Sequence, residues 1–180
     1  SVGSAGPFEV PCRLRDVKPW TPRTPHLYEA TVRVTSGGTL CEEVRFRFGM
    51  REIAVKDGHF RLNDKPLWLR GSNLVNEWLW GDLYNENCKQ YIVDEARSMN
   101  LNCFRTHTQP PPARWLNVSD EYGTMFLAET PLLYNHADFG FTPEELEVFH
   151  KNALIGATNW VTRMWNHPSI VLWVLSNESR

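Results

Sequence analysis

Asn166-His167-Pro168-Ser169-Ile170-Val171-Leu172-Trp173-Val174-Leu175-Ser176-Asn177-Glu178 decides how this chain folds. Ile170 to Leu175 is apolar at every position, bounded by Pro168 on one side and by Ser176-Asn177-Glu178 on the other. A short strand with no polar face is buried on both sides, as in a parallel sheet covered by helices. Immediately upstream, Thr142-Pro143-Glu144-Glu145 reads as a capping box with proline at the first helical position. Leu146, Phe149, Ala153, Ala157, Trp160 and Met164 then continue one helical apolar stripe up to Asn166.

The same alternation extends further back. Thr124 to Ala128 reads as a strand following a short helix, Trp115 to Tyr122, that ends at Gly123. Asn102 to Thr106 is another strand, preceded by Cys88, Ile92, Ala96 and Met99 at helical spacing, and Leu67 to Arg70 is the first. The order β-α-β-α-β-α-β with right-handed crossovers is half of an eight-stranded (β/α) barrel. Residues 63–180 are therefore expected to form the N-terminal half of a TIM-barrel domain.

Before Pro66 the period changes to two. Tyr28, Ala30, Val32 and Val34 alternate with polar residues, Gly37-Gly38 turns the chain, and Val44, Phe46 and Phe48 alternate again. This predicts an antiparallel hairpin. Shorter strands follow at Ile53–Val55 and Phe60–Leu62 around Asp57-Gly58, so residues 1–62 read as part of a β-sandwich.

The composition is that of a globular protein: 42% hydrophobic, 22% charged and 12% aromatic residues among 180. Nineteen basic residues against 21 acidic ones give a net charge of -2, which offers no footprint for a nucleic-acid backbone. The apolar run at Ile170–Leu175 is far short of the roughly 18 residues that a membrane span needs. Cys12, Cys41, Cys88 and Cys103 show no metal-ligand or disulfide spacing and read as buried apolar residues. His107, His136 and Glu129 match no compact ligand motif, so no metal and no cofactor are expected. Localisation is not written in the residues.

In a (β/α) barrel the chemistry sits at the C-terminal ends of the strands. Those positions give Asn73, then Arg105 with His107, then Glu129, then Asn177 with Glu178. Trp78 and Trp80 lie in the loop after the first strand, where aromatic residues either form a stacking platform for a ligand or pack beneath their own loop.

Three stretches resemble glycoside hydrolase family 2, the family of β-galactosidases, β-glucuronidases and β-mannosidases. Asn166 to Glu178 is similar to the family's N-H-P-S-I strand ending in N-E. Arg70-Gly71-Ser72-Asn73, preceded by Leu62-Asn63-Asp64-Lys65-Pro66, resembles its R-G-x-N and L-N-G-K-P. Trp20-Thr21-Pro22, Pro25-His26-Leu27-Tyr28 and Phe48-Gly49-Met50-Arg51-Glu52 are similar to the end of the immunoglobulin-like domain before the barrel.

The resemblance implies a retaining hydrolase of β-linked sugars, in which one carboxyl protonates the leaving oxygen and another attacks the anomeric carbon. Glu178 matches the acid/base, Asn177 the residue that bonds the sugar 2-hydroxyl, Arg105 the arginine near the nucleophile, and Asn73 the substrate-facing first-strand loop. The family's nucleophile comes from a later strand, beyond Arg180. Glu129 then reads as a support for Arg105 or a substrate hydroxyl. The implied partners are a carbohydrate and the other half of the barrel, and the resemblance allows a homo-oligomeric parent. A noncatalytic carbohydrate-binding or structural relative with the same fold is the alternative.

The sequence also departs from the family. The histidine expected three residues after Arg105 stands one earlier, at His107, which leaves a loop-fixing role equally open. Leu74-Val75-Asn76 replaces x-H-E after Asn73, and Ala128-Glu129-Thr130-Pro131 stands for D-E-A-N. The sugar preference therefore does not carry over.

Overall fold

The computed structural model describes residues 9–75 and 88–179. Strands β1 (Tyr28–Ser36) and β2 (Thr39–Phe48) form the antiparallel hairpin, with Gly37-Gly38 as its turn and Tyr28 opposite Phe48. Strands β3 (Ile53–Lys56), β4 (His59–Leu62) and β5 (Lys65–Pro66) make a small antiparallel sheet. The remaining strands, β6 (Gly71–Leu74), β7 (Cys103–Thr106), β8 (Met125–Glu129) and β9 (Ile170–Val174), form a four-stranded parallel sheet in chain order. Consecutive strands lying side by side and joined by helices are what the first half of a (β/α)8 barrel requires.

The crossovers carry the helices. A π-helical segment, Gln90–Glu95, runs directly into α1 (Ala96–Ser98). Helix α2 (Ala113–Tyr122) ends at Gly123, whose φ of +86° is the left-handed cap that glycine adopts without strain. Helix α3 (Pro143–Met164) begins with the full capping box between Thr142 and Glu145. Its half-buried positions include Leu146, Phe149, Ala153, Ala157, Trp160 and Met164, the stripe that the sequence spacing marks.

The period of two in the parallel strands divides the core. Phe104, Phe126, Ala128 and Ile170 pack with Ile92, Val93, Ala96, Trp115 and Leu116 from the helical layer. Cys103, Met125 and Val171 pack on the opposite face with Trp20 and Leu62. Arg105 has the parity of Cys103, and Glu129 that of Met125, so both stand on this second face, the inside of the barrel.

Two expectations are corrected. The first parallel strand is Gly71–Leu74, not Leu67–Arg70. Leu67 and Leu69 pack on the inner cluster while Trp68 is 73% exposed, so the apolar run caps the core without joining the ladder. Arg70 is fixed at the sheet's edge, its backbone N–H on Asn102 Oδ1 at 2.8 Å and its carbonyl accepting from Asn102 N–H at 2.8 Å. Pairing then starts at Gly71, where a Cβ would meet Cys103 Sγ at 2.6 Å. The cysteines also divide: Cys88 and Cys103 are buried, whereas Cys12 and Cys41 are exposed, on segments that the inner core does not cover. Burial pushes the Cys103 thiol up to about 11.

The segment before the barrel is fastened to the lower, N-terminal ends of the strands. Fully buried Trp20 donates its indole N–H to the Asp120 carbonyl at 2.8 Å. Arg51 Nε donates to the Pro168 carbonyl at 2.8 Å, and its Nη2 to that of Ile170. Burial holds this guanidinium below its ordinary value, and the Asp120 carboxylate opposes that shift.

Candidate active site

The upper ends of β7, β8 and β9 bring three of the expected residues into one hydrogen-bonded group. Arg105 Nε donates to Glu129 Oε2 at 2.7 Å, and Arg105 Nη2 to Glu129 Oε1 at 2.9 Å. This two-point contact fits the planar guanidinium to the carboxylate. Arg105 Nη2 also donates to Asn177 Oδ1 at 2.8 Å. Arginine has no acceptor, so Asn177 must present its oxygen to Arg105, and its NH₂ is directed elsewhere as a double donor. The Glu129 side chain is 0% exposed and that of Arg105 30%, so the pair is dry on the acid side and open on the basic side. Thr106 Oγ1 accepts from the Glu129 backbone N–H at 3.1 Å and fixes the end of β8.

Asn177 is locked from both directions. Its N–H donates to the Leu132 carbonyl at 2.9 Å, and its carbonyl accepts from Tyr134 N–H at 2.9 Å, around a parallel bridge between Leu133 and Asn177. Glu178 follows, exposed, with φ of +52°, and Tyr134 opposite has φ of +60°. Non-glycine residues in the left-handed region are uncommon, and a bulky one there persists only where its surroundings impose it. Both residues directly follow the bridged pair Leu133 and Asn177.

The other expected positions lie nearby. Asn73 is exposed within β6 and pairs in register with Arg105, so it stands in the ladder and not past its end. His107 is half-buried just beyond β7, its N–H on the Leu74 carbonyl at 3.2 Å and its carbonyl accepting from Thr108 Oγ1 at 2.7 Å. Trp78 and Trp80 lie outside the described residues. Among those described, no group of three or more His, Cys, Asp or Glu side chains could hold a metal ion, and no helix is long and apolar enough to cross a membrane.

Comparison with known families supplies the frame for this geometry. Residues 53–180 match the model "Glycosyl hydrolases family 2, TIM barrel domain", and residues 3–51 match "Glycosyl hydrolases family 2". The chain belongs to glycosyl hydrolases family 2. It is similar to the β-galactosidase of Photobacterium profundum, with 31% identity over 177 residues, covering 92% of this chain and 16% of that protein. Similarity to the β-galactosidase of Oenococcus oeni is 29% over 197 residues, covering 99% and 18%. This family-2 chain thus spans about a sixth of the length of the curated relatives it matches. A solved β-glucuronidase from Ruminococcus gnavus in complex with D-glucaro 1,5-lactone superposes with a TM-score of 0.76 at 25% identity, over 92% of this chain and 28% of that one. A family-2 member from Bacteroides cellulosilyticus, at 22% identity and a TM-score of 0.72 over 91% and 21%, shares the fold.

Two groups leave little trace in the sequence. Asp120, 5% exposed, accepts from Ser169 N–H at 3.1 Å, Ser169 Oγ at 2.6 Å and His167 Nδ1 at 2.6 Å. It lies at the lower ends of the strands, where polar networks serve stability in this fold. Its partners lie 47 and 49 residues away, and no local pattern announces such a contact. The second group is the cleft beside Glu178, lined by Tyr134, Asn135, Asp138 and Phe139. The density of aromatic residues between Tyr134 and Phe149 was its only sequence signal.

Proposed function

We propose that this chain carries the acid/base half of a retaining β-glycosidase active site and works within a longer polypeptide that completes the barrel. In this reading the sandwich part runs to residue 62 and the barrel part begins at residue 63. The substrate is a β-linked carbohydrate, in keeping with the β-galactosidase and β-glucuronidase activities for which the relatives are named. The observation that carries the reading is the Arg105–Glu129–Asn177 group at the strand ends, with Glu178 next in the chain at the rim of a cleft.

In this reading Glu178 gives its proton to the glycosidic oxygen as the bond to the anomeric carbon breaks. A carboxylate from the rest of the barrel forms the glycosyl-enzyme on the opposite face. Glu178, now ionised, takes a proton from the water that attacks the anomeric carbon and displaces the enzyme carboxylate. Asn177 offers its NH₂ to the 2-hydroxyl, because Arg105 holds its oxygen. Arg105 keeps donors beyond those given to Glu129 and Asn177, and these orient the nucleophilic carboxylate. Glu129 is a positioning residue that fixes the guanidinium plane. Asn73 and His107 border the glycone from β6 and β7.

Glu178→Gln keeps the shape and removes the proton. On a substrate with a poor leaving group, turnover in the complete enzyme is expected to fall about 10²- to 10⁴-fold, and an activated aryl glycoside should lose less in the glycosylation step. Equal, negligible losses on both would remove Glu178 from the mechanism.

A further inference from the structure

Glu178 is exposed, so its place is set by the backbone that leads to it. The regular ladder between β8 and β9 ends with the Thr130 N–H on the Val174 carbonyl at 3.0 Å. Beyond that bond, residues 175–177 are tied to the turn after β8. Thr130 is 2% exposed, and its hydroxyl works in two directions at the start of this turn. Oγ1 donates to the Leu175 carbonyl and accepts from the Leu132 N–H at 3.4 Å. A hydroxyl is suited to such a link because it carries one donor beside its acceptor lone pairs. The Leu132 carbonyl then accepts from the Asn177 N–H at 2.9 Å, and the Asn177 carbonyl from the Tyr134 N–H at 2.9 Å. One run of hydrogen bonds therefore connects Leu175, the Thr130 hydroxyl, Leu132, Asn177 and Tyr134, and Glu178 is the next residue in the chain.

We propose that Thr130 is a positioning residue for Glu178, its hydroxyl holding the end of β9 so that the carboxyl meets the glycosidic oxygen. The proposal rests on Glu178 being the acid/base. Without the hydroxyl, the Leu175 carbonyl and the Leu132 N–H both lose a partner, and the turn that carries Asn177 is no longer fixed to the strand end. A reacting group misplaced by about 1 Å can cost about 10²-fold in rate. The sugar contacts are spared, because Arg105 still holds the Asn177 side chain at 2.8 Å. The loss therefore falls on proton transfer and not on binding of the glycone.

The test is made in the complete enzyme with two substrates that share a glycone, phenyl and dinitrophenyl β-galactoside. The matching β-glucuronides replace them if wild type prefers that glycone. Dinitrophenolate leaves without a proton, whereas phenolate needs one. Thr130→Val, which keeps the shape, is thus expected to lower kcat/KM for the phenyl glycoside roughly tenfold more than for the dinitrophenyl glycoside. A general weakening of the fold would lower both alike. Thr130→Ser, which returns the hydroxyl, should bring the ratio back to that of wild type. If Thr130→Val does not fold, Thr130→Cys, of similar size but a weak donor, replaces it. In a Glu178→Gln background the Thr130 substitution should leave the ratio unmoved, since no proton remains to be placed. Equal losses on both substrates, the same selective loss without the Glu178 carboxyl, or a Thr130→Ser variant as selective as Thr130→Val would overturn the positioning role. Wild-type hydrolysis of the phenyl glycoside by Glu178→Gln alone would overturn the acid/base reading, whereas its collapse beside an unmoved Thr130→Val ratio would overturn the positioning role alone.

Discussion

Removing either partner of the Arg105–Glu129 pair should destabilise the fold, but by unequal amounts. Arg105→Gln strips three hydrogen bonds, at 2.7, 2.9 and 2.8 Å, from a carboxylate that is 0% exposed and an amide that is 6% exposed. A buried charge left without its partner costs about 3–5 kcal/mol. Glu129→Gln is milder, because the Arg105 side chain is 30% exposed and water can solvate its charge. The glutamine oxygen also still accepts one bond. The loss is then that of a charge-assisted contact partly replaced by solvent, about 1–2 kcal/mol. Urea titrations followed by tryptophan emission, with Trp20 and Trp115 both fully buried as reporters, measure the difference. Arg105→Gln should be the less stable of the two by about 2 kcal/mol. Equal losses, or the reverse order, would refute the claim that the acid side of the pair is dry and the basic side wet.

Arg105→Lys keeps the charge but loses the planar fork, so activity should fall while the protein still folds, and wild-type kinetics in a folded variant would contradict the positioning role. Gly123→Ala would set a Cβ 2.1 Å from the Pro22 carbonyl oxygen at φ of +86°, and a loss of about 2 kcal/mol or more is expected in the same titration. Cys12 and Cys41 should react with a thiol reagent at pH 8 in the folded protein, and Cys88 and Cys103 only after unfolding. Because burial raises the Cys103 thiol from 9.0 to about 11, the unfolded chain loses that proton first. Stability contributed by this group is therefore complete below pH 9 and declines as pH rises towards 11, which urea midpoints across that range would record.

Much of this architecture was legible because local and long-range signals agree. The hairpin of β1 and β2 has its period, its glycine turn and its register in one stretch, and α3 has its cap and stripe. The upper ends of β8 and β9 could be located because their apolar runs break at Glu129 and, past Leu175, at Ser176-Asn177-Glu178, whereas β7 offers only Cys103-Phe104 before Arg105. The first strand escapes the apolar pattern for a physical reason. Leu67 to Leu69 carries the apolar signal but serves as a plug, while Gly71-Ser72-Asn73 has no apolar signal and is a strand only because β7 pairs with it. The Asp120 network joins residues that only the completed crossover brings together. The aromatic wall at Tyr134 depends on a left-handed backbone that no residue preference foretells.

The central claim is that Glu178 handles the proton on one face of the sugar while a carboxylate elsewhere in the barrel attacks the other. Glu178→Ala in the complete enzyme tests it, assayed on an activated aryl β-glycoside with and without sodium azide. Azide needs no general base and fits the space that the side chain vacates, so it should restore turnover and release a glycosyl azide of β configuration. No rescue, or an α-configured azide, would contradict the account.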